Sequence, residues 1–109
     1  MSLSEDEAVD EVIDYLRPYI APLVVRIDAD EFTTVEFIEA MQQDEPTRLA
    51  YEAVVRRWPE RDETRARMVI HGQAIPVLLR QSGLVEWAGY AYGEDDSYAV
   101  PAWWRKLTG

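Results

Sequence analysis

Cysteine is absent from the 109 residues. That excludes disulfides, thiolate metal sites and cysteine nucleophiles. Positive charge is also scarce, with 11 Lys and Arg against 21 Asp and Glu, a net charge of −10. No apolar run approaches the roughly 18 residues a membrane span needs. The N-terminus, Met1 to Glu7, is acidic and has no apolar stretch behind a basic one, so it does not read as a secretory signal. These absences lead to the expectation of a cytoplasmic protein that makes no membrane contact. Six prolines and five glycines are too few for a disordered composition. The 48% of apolar residues suffices for one packed domain, which at this length buries roughly two-thirds of its unfolded surface.

The charge is unevenly placed. Residues 1–45 carry 13 acids and 2 bases, residues 46–83 carry 4 acids and 7 bases, and residues 84–109 carry 4 acids and 2 bases. Every base in the middle segment is Arg, whose rigid fork of donors suits phosphate and carboxylate alike. Two outcomes follow for Arg56, Arg57, Arg61, Arg65, Arg67 and Arg80. They dock against the acidic N-terminal helix, or they face an external anion.

Ser4 and Glu7 form a capping-box pattern. Val9, Val12, Ile13, Leu16 and Ile20 then recur at helical spacing, predicting a helix over about 5–20 that Pro18 and Pro22 end or bend. Leu23 to Ile27 fits either a short strand or a bent extension of that helix. Thr33 and Glu36 form a second capping box, and Phe32 and Phe37 occupy the positions of a hydrophobic staple. They open a helix over about 34–43. Pro46 starts a third helix, over about 46–58. Asp62 or Thr64 caps a fourth, over about 63–71. Gly72 and Pro76 predict a turn or kink, followed by a helix over about 75–82 with Gly83 at its C-terminal cap. One kinked helix is the competing reading of 63–82. Strand formers then dominate Leu84 to Tyr92, Gly93 to Asp96 is a turn, and Ser97 to Val100 is a second strand. The remainder, 102–109, is an aromatic and basic tail.

The fold expected is mainly α with a C-terminal β-hairpin, in one domain covering 1–109. The run Val77-Leu78-Leu79-Arg80-Gln81-Ser82-Gly83-Leu84-Val85-Glu86-Trp87, followed by Ser97-Tyr98-Ala99-Val100-Pro101, resembles the ending of the winged helix-turn-helix superfamily. The likeness covers about 33–101 and leaves the N-terminal helix and the tail as additions. It implies a recognition helix, a wing, and in most members contact with duplex DNA; other members are protein-interaction or dimerisation modules. The turn Gly93 to Asp96 departs from a phosphate-contacting wing, because its three acids repel phosphate. Arg80, Gln81 and Ser82 also lie at the wrong end of a recognition helix, whose N-terminal residues usually read bases.

His71, the only histidine, lacks a motif that would make it a general base and reads as a core or helix-end residue. Asp28, Asp30 and Glu31 hint at a calcium loop, but Phe32 and Thr33 stand where such a loop needs a ligand and a glycine. No cofactor or metal is expected, and no enzyme, because no nucleophile–base pair stands out. In the hairpin Trp87 is assigned to the core and Tyr90 and Tyr92 to the opposite face. Trp103 and Trp104 are consecutive, so both cannot easily be buried on one side. Two functions follow from these expectations. One is a regulator that contacts duplex DNA through Arg56, Arg57, Arg61, Arg65, Arg67 and Arg80. The other is a protein-interaction or homodimer module using Tyr90, Tyr92, Trp103 and Trp104.

Overall fold

Ser4 accepts a hydrogen bond from the Glu7 amide at 3.2 Å and opens the first helix, α1, Glu5–Arg26. The structure, a computed structural model, describes residues 4–107; Thr108 and Gly109 of the expected tail lie outside the described residues. Helix α1 runs through both prolines, so Leu23 to Ile27 is no strand, and all but Ile27, the C-cap, is helix. Pro18 and Pro22 sit one turn apart and are both exposed. The carbonyls they orphan, four residues earlier, therefore face water, which removes most of the cost of an internal proline. The opposite face buries Ala8, Val12, Leu16, Ile20, Leu23 and Val24.

A short strand that was not expected, β1 (Glu31–Thr33), precedes α2 (Thr34–Gln43). Thr33 and Glu36 make the full capping box. The Phe32 and Phe37 rings stack with centroids 5.8 Å apart, as the staple requires. Asp44 caps α3 (Glu45–Arg57) by accepting from the Thr47 amide. The Thr47 hydroxyl bonds and the Arg26 ion pair hold the Asp44 carboxyl below its ordinary pKa.

Residues 63–81 are a single rod, the competing reading of that stretch, and not a helix-turn-helix. Helix α4 (Glu63–Val69) passes through a π-helical turn (Ile70–Ala74) directly into α5 (Ile75–Gln81). Pro76 lacks an N–H and would clash with the carbonyl four residues back. The wider turn just upstream accommodates it, and the Ile75 amide reaches back five residues to the Ile70 carbonyl. Gly83, at φ 73°, ends the rod in the left-handed region as expected.

Strand β2 (Val85–Tyr90) follows, but its partner is β3 (Ala102–Lys106) and not residues 97–100. The expected tail is thus the middle strand of an antiparallel sheet ordered β1-β3-β2. Trp104 faces Phe32 on one side and Trp87 on the other. It is fully buried and is the largest side chain in the core. Thr34 receives it: the Trp104 indole N–H donates to Thr34 Oγ1 at 2.9 Å, and the Ala102 amide donates to the same oxygen at 3.2 Å. The Cα radius of gyration, 13.5 Å, matches the roughly 13 Å of one domain this long. No described helix is long and apolar enough to cross a membrane.

Candidate functional site

The six arginines proposed for DNA do not form one face. Arg57 lies over the Tyr15 ring of α1 at 5.0 Å. Arg65 pairs with Glu5 at 2.5 Å. The acidic first helix therefore takes up both. Arg67 turns inward to the Tyr51 hydroxyl at 3.4 Å. Arg80 lies over the Trp104 ring at 5.8 Å. Arg56 and Arg61 are exposed and have no acidic partner among the described residues. Arg61 follows Glu60 in a left-handed stretch, φ 56° and 62°, that interrupts the chain between α3 and α4. The side of the rod left open to solvent carries Gln73 in the π-helical turn and Arg80 in α5, while Gln81 accepts from Arg17 of α1 at 2.6 Å.

The aromatic residues of the hairpin are arranged otherwise. Trp104 is interior and leaves the set of contact candidates; Trp103, on the opposite face of β3, is 36% exposed. Trp87 shares the inner face with Trp104 through their register, yet it is 44% exposed because β2 is the sheet edge and the helices do not reach over it. Its expected place in the core is thus corrected. The Trp87 and Tyr90 rings meet edge to face at 5.3 Å, and those of Tyr90 and Tyr92 lie 5.6 Å apart. Tyr90 is 53% exposed and Tyr92 is 82% exposed. Gly89, at φ 108°, marks the bulge between Trp87 and Tyr90 that shifts the register. That bulge brings Tyr90 beside Trp87, where strict alternation would set them on opposite faces. On the outer face of the sheet Arg105 bridges Glu31 at 3.0 Å and Glu86 at 3.4 Å. Glu31 raises the Arg105 pKa.

A third cluster was not foreseen. His71, at the π-turn, bonds the Tyr51 hydroxyl through Nε2 at 2.8 Å and Asp96 through Nδ1 at 3.0 Å. The same Asp96 accepts from the Tyr98 amide at 2.8 Å. Burial pushes the Tyr51 phenol above its ordinary pKa, against the opposing effect of Arg67. Tyr51, His71 and Asp96 are all nearly sealed from solvent. The cluster therefore clamps the 91–101 loop onto the rod. Gly72 serves the same approach, since a Cβ there would lie 3.2 Å from that of Ala99. His71 is a core residue as expected, but Asp96 lies 25 positions away, beyond the reach of any local motif.

A surface groove of about 510 Å³ with a partly apolar lining lies between α1 and the end of α3. Arg57 on one wall and Glu11 and Asp14 on the other give it opposed charges. No group of three metal-ligating side chains occurs among the described residues, Asp28, Asp30 and Glu31 included. Comparison of the chain with family models, curated proteins and solved structures returns no match. What the fold defines is a helical domain that carries a three-stranded antiparallel sheet and ends in an aromatic edge.

Proposed function

We propose that this chain is a non-catalytic protein-interaction module whose contact surface is the outer edge of the hairpin. The observation that carries this reading is the contiguous Trp87, Tyr90 and Tyr92 cluster, exposed on the edge strand β2 and just past its end. Exposed aromatic clusters mark contact surfaces, and Trp and Tyr are the commonest anchors of interfaces. Trp103 belongs to the opposite face and is a peripheral contributor.

Contact with duplex DNA is the second reading, and it rests on Arg56 and Arg61, the two exposed arginines of the set that engage neither an acid nor an aromatic ring among the described residues. Counterion release makes the two readings separable. The experiment compares the wild type with a Tyr90→Ala, Tyr92→Ala double variant and with Arg56→Glu, Arg61→Glu. Protein capture from cell extract and titration with duplex DNA at two salt concentrations are measured on each. The interaction reading expects captured protein to be lost in the tyrosine variant at unchanged thermal stability. Binding of DNA that weakens steeply with salt and disappears in the arginine variant overturns it in favour of the nucleic-acid reading.

A further inference from the structure

We infer that the groove between α1 and the end of α3 binds a dipeptide with free ends and apolar side chains. The groove shares no residue with the aromatic edge of the hairpin, so the inference stands apart from the interaction reading. Its two unlike charges are not paired. Arg57 and Glu11 both line it and are exposed. Neither has an ion-pair partner among the described residues. Asp14, on the Glu11 wall, pairs with Arg17 at 3.3 Å. The Tyr15 ring, 5.0 Å below the Arg57 guanidinium, holds that group away from Glu11. A guanidinium lying over a ring keeps its in-plane donors free for a carboxylate. The next residue adds a donor. Trp58 is 7% exposed and lines the groove. Its indole N–H makes no hydrogen bond among the described residues, where every sealed side-chain nitrogen has a partner. This N–H therefore opens to the groove, and a mostly buried indole usually finds an acceptor.

The charges select the occupant. A carboxylate suits the Arg57 and Trp58 donors, but a simple anion is repelled by Glu11, Asp14 and a chain at −10. A simple cation is repelled by Arg57. A zwitterion meets both walls with the opposite sign. Its length follows from α1. Arg57 lies over Tyr15, and Glu11 is four residues from Tyr15, about 6 Å along the helix axis. One amino acid carries both charges on a single residue and is too short for this span. Two extended residues reach about 7 Å. Between the charges the floor is apolar, with Val12 and Val54 buried, and it receives the peptide side chains. The volume, about 510 Å³, falls within the roughly 300–1,000 Å³ of small-molecule sites. A helix from a partner protein is the competing occupant, and it brings no free termini to the two walls.

The probe is leucyl-leucine, titrated into the full chain and followed by NMR at the Trp58 indole N–H. Its N-acetyl and C-amide forms and free leucine are the controls. The expected result is a saturating shift of the indole signal at millimolar dipeptide. Each blocked form is expected to bind about tenfold more weakly, the size of one lost bond to a charged group. Arg57→Gln is expected to lose the same factor for leucyl-leucine and nothing further for the amide. Glu11→Gln does likewise with the acetyl form. Both side chains are exposed, and an unchanged melting temperature confirms that the variants fold. Equal binding of free and blocked dipeptides reduces the groove to an apolar cleft and overturns the inference. Equal binding of free leucine replaces the dipeptide by a single amino acid. An indole signal moved only by a synthetic amphipathic helix of Leu, Glu and Lys replaces it by a protein partner. No shift with any probe overturns the site altogether, while the capture experiment decides the interaction reading separately.

Discussion

Thr34 shows how much a single hydroxyl can organise. Its oxygen accepts from the Trp104 indole and from the Ala102 amide, both deep in the core. Thr34→Val keeps the shape and removes the acceptor, stranding two buried donors at about 1–3 kcal/mol each. The urea midpoint is expected to fall accordingly, and Thr34→Ser to recover most of the loss. At Tyr51 the effect appears with pH. Burial raises the folded-state phenol above the value of about 10 it has when unfolded. A raised acid of this kind contributes stability that is complete below the unfolded pKa and is lost as the pH climbs through the folded one. Melting temperature is thus expected to drop above pH 10 by more than in Tyr51→Phe, measured side by side. An equal drop in both would remove Tyr51 from the account. The groups facing the phenol are His71, Arg67, Asp96 and Tyr98, and all remain in the variant.

Among the elements, those with local signals were foreseen. The Thr33–Glu36 box, the Pro46 start, the Asp62 cap and Gly83 are all decided within a few residues, and α2, α3 and the two ends of the 63–81 rod stand where their spacing places them. The departures share another cause, tertiary contact. Proline normally stops a helix, but in α1 both prolines happen to face water. Ser97 to Val100 has strand composition, yet Asp96 is drawn to His71 and holds the segment as a loop. Trp103 and Trp104 follow a proline near the end of the chain and resemble a tail. Pairing with both Phe32 and Val85–Trp87 makes them the centre of the sheet. Asp96→Asn tests the clamp, because it removes the carboxylate that His71 Nδ1 bonds. Amides of residues 92–100 are expected to exchange several-fold faster, while those of α1 keep their rates. Unchanged exchange in the loop would falsify the role given to His71.

At the scale of the whole molecule, the uneven charge of the sequence is met in part by contacts within the fold. Helix α1 collects Arg57 and Arg65, Asp44 collects Arg26, and the outer face of the sheet balances Arg105 between two glutamates. Part of the asymmetry visible in the sequence is thus taken up within the fold, and composition alone could not separate that part from a surface meant for nucleic acid. Among the described residues, open features include the hairpin edge, the groove between α1 and α3, and Arg56 and Arg61 on either side of the turn before α4. The π-turn has one more consequence for the molecule. An α-helix advances about 100° per residue, so the one extra residue taken up at 70–74 resets the rotational phase of everything after it. Ala66 and Val69 before it and Leu78 and Leu79 after it all reach the interior on that account. Deleting Gln73 removes the extra residue, turns the widened loop back into regular helix and keeps Leu78 and Leu79 in phase with the core, whereas an alanine inserted after Ile75 swings them about 100° away and leaves a chain that no longer closes around Trp104.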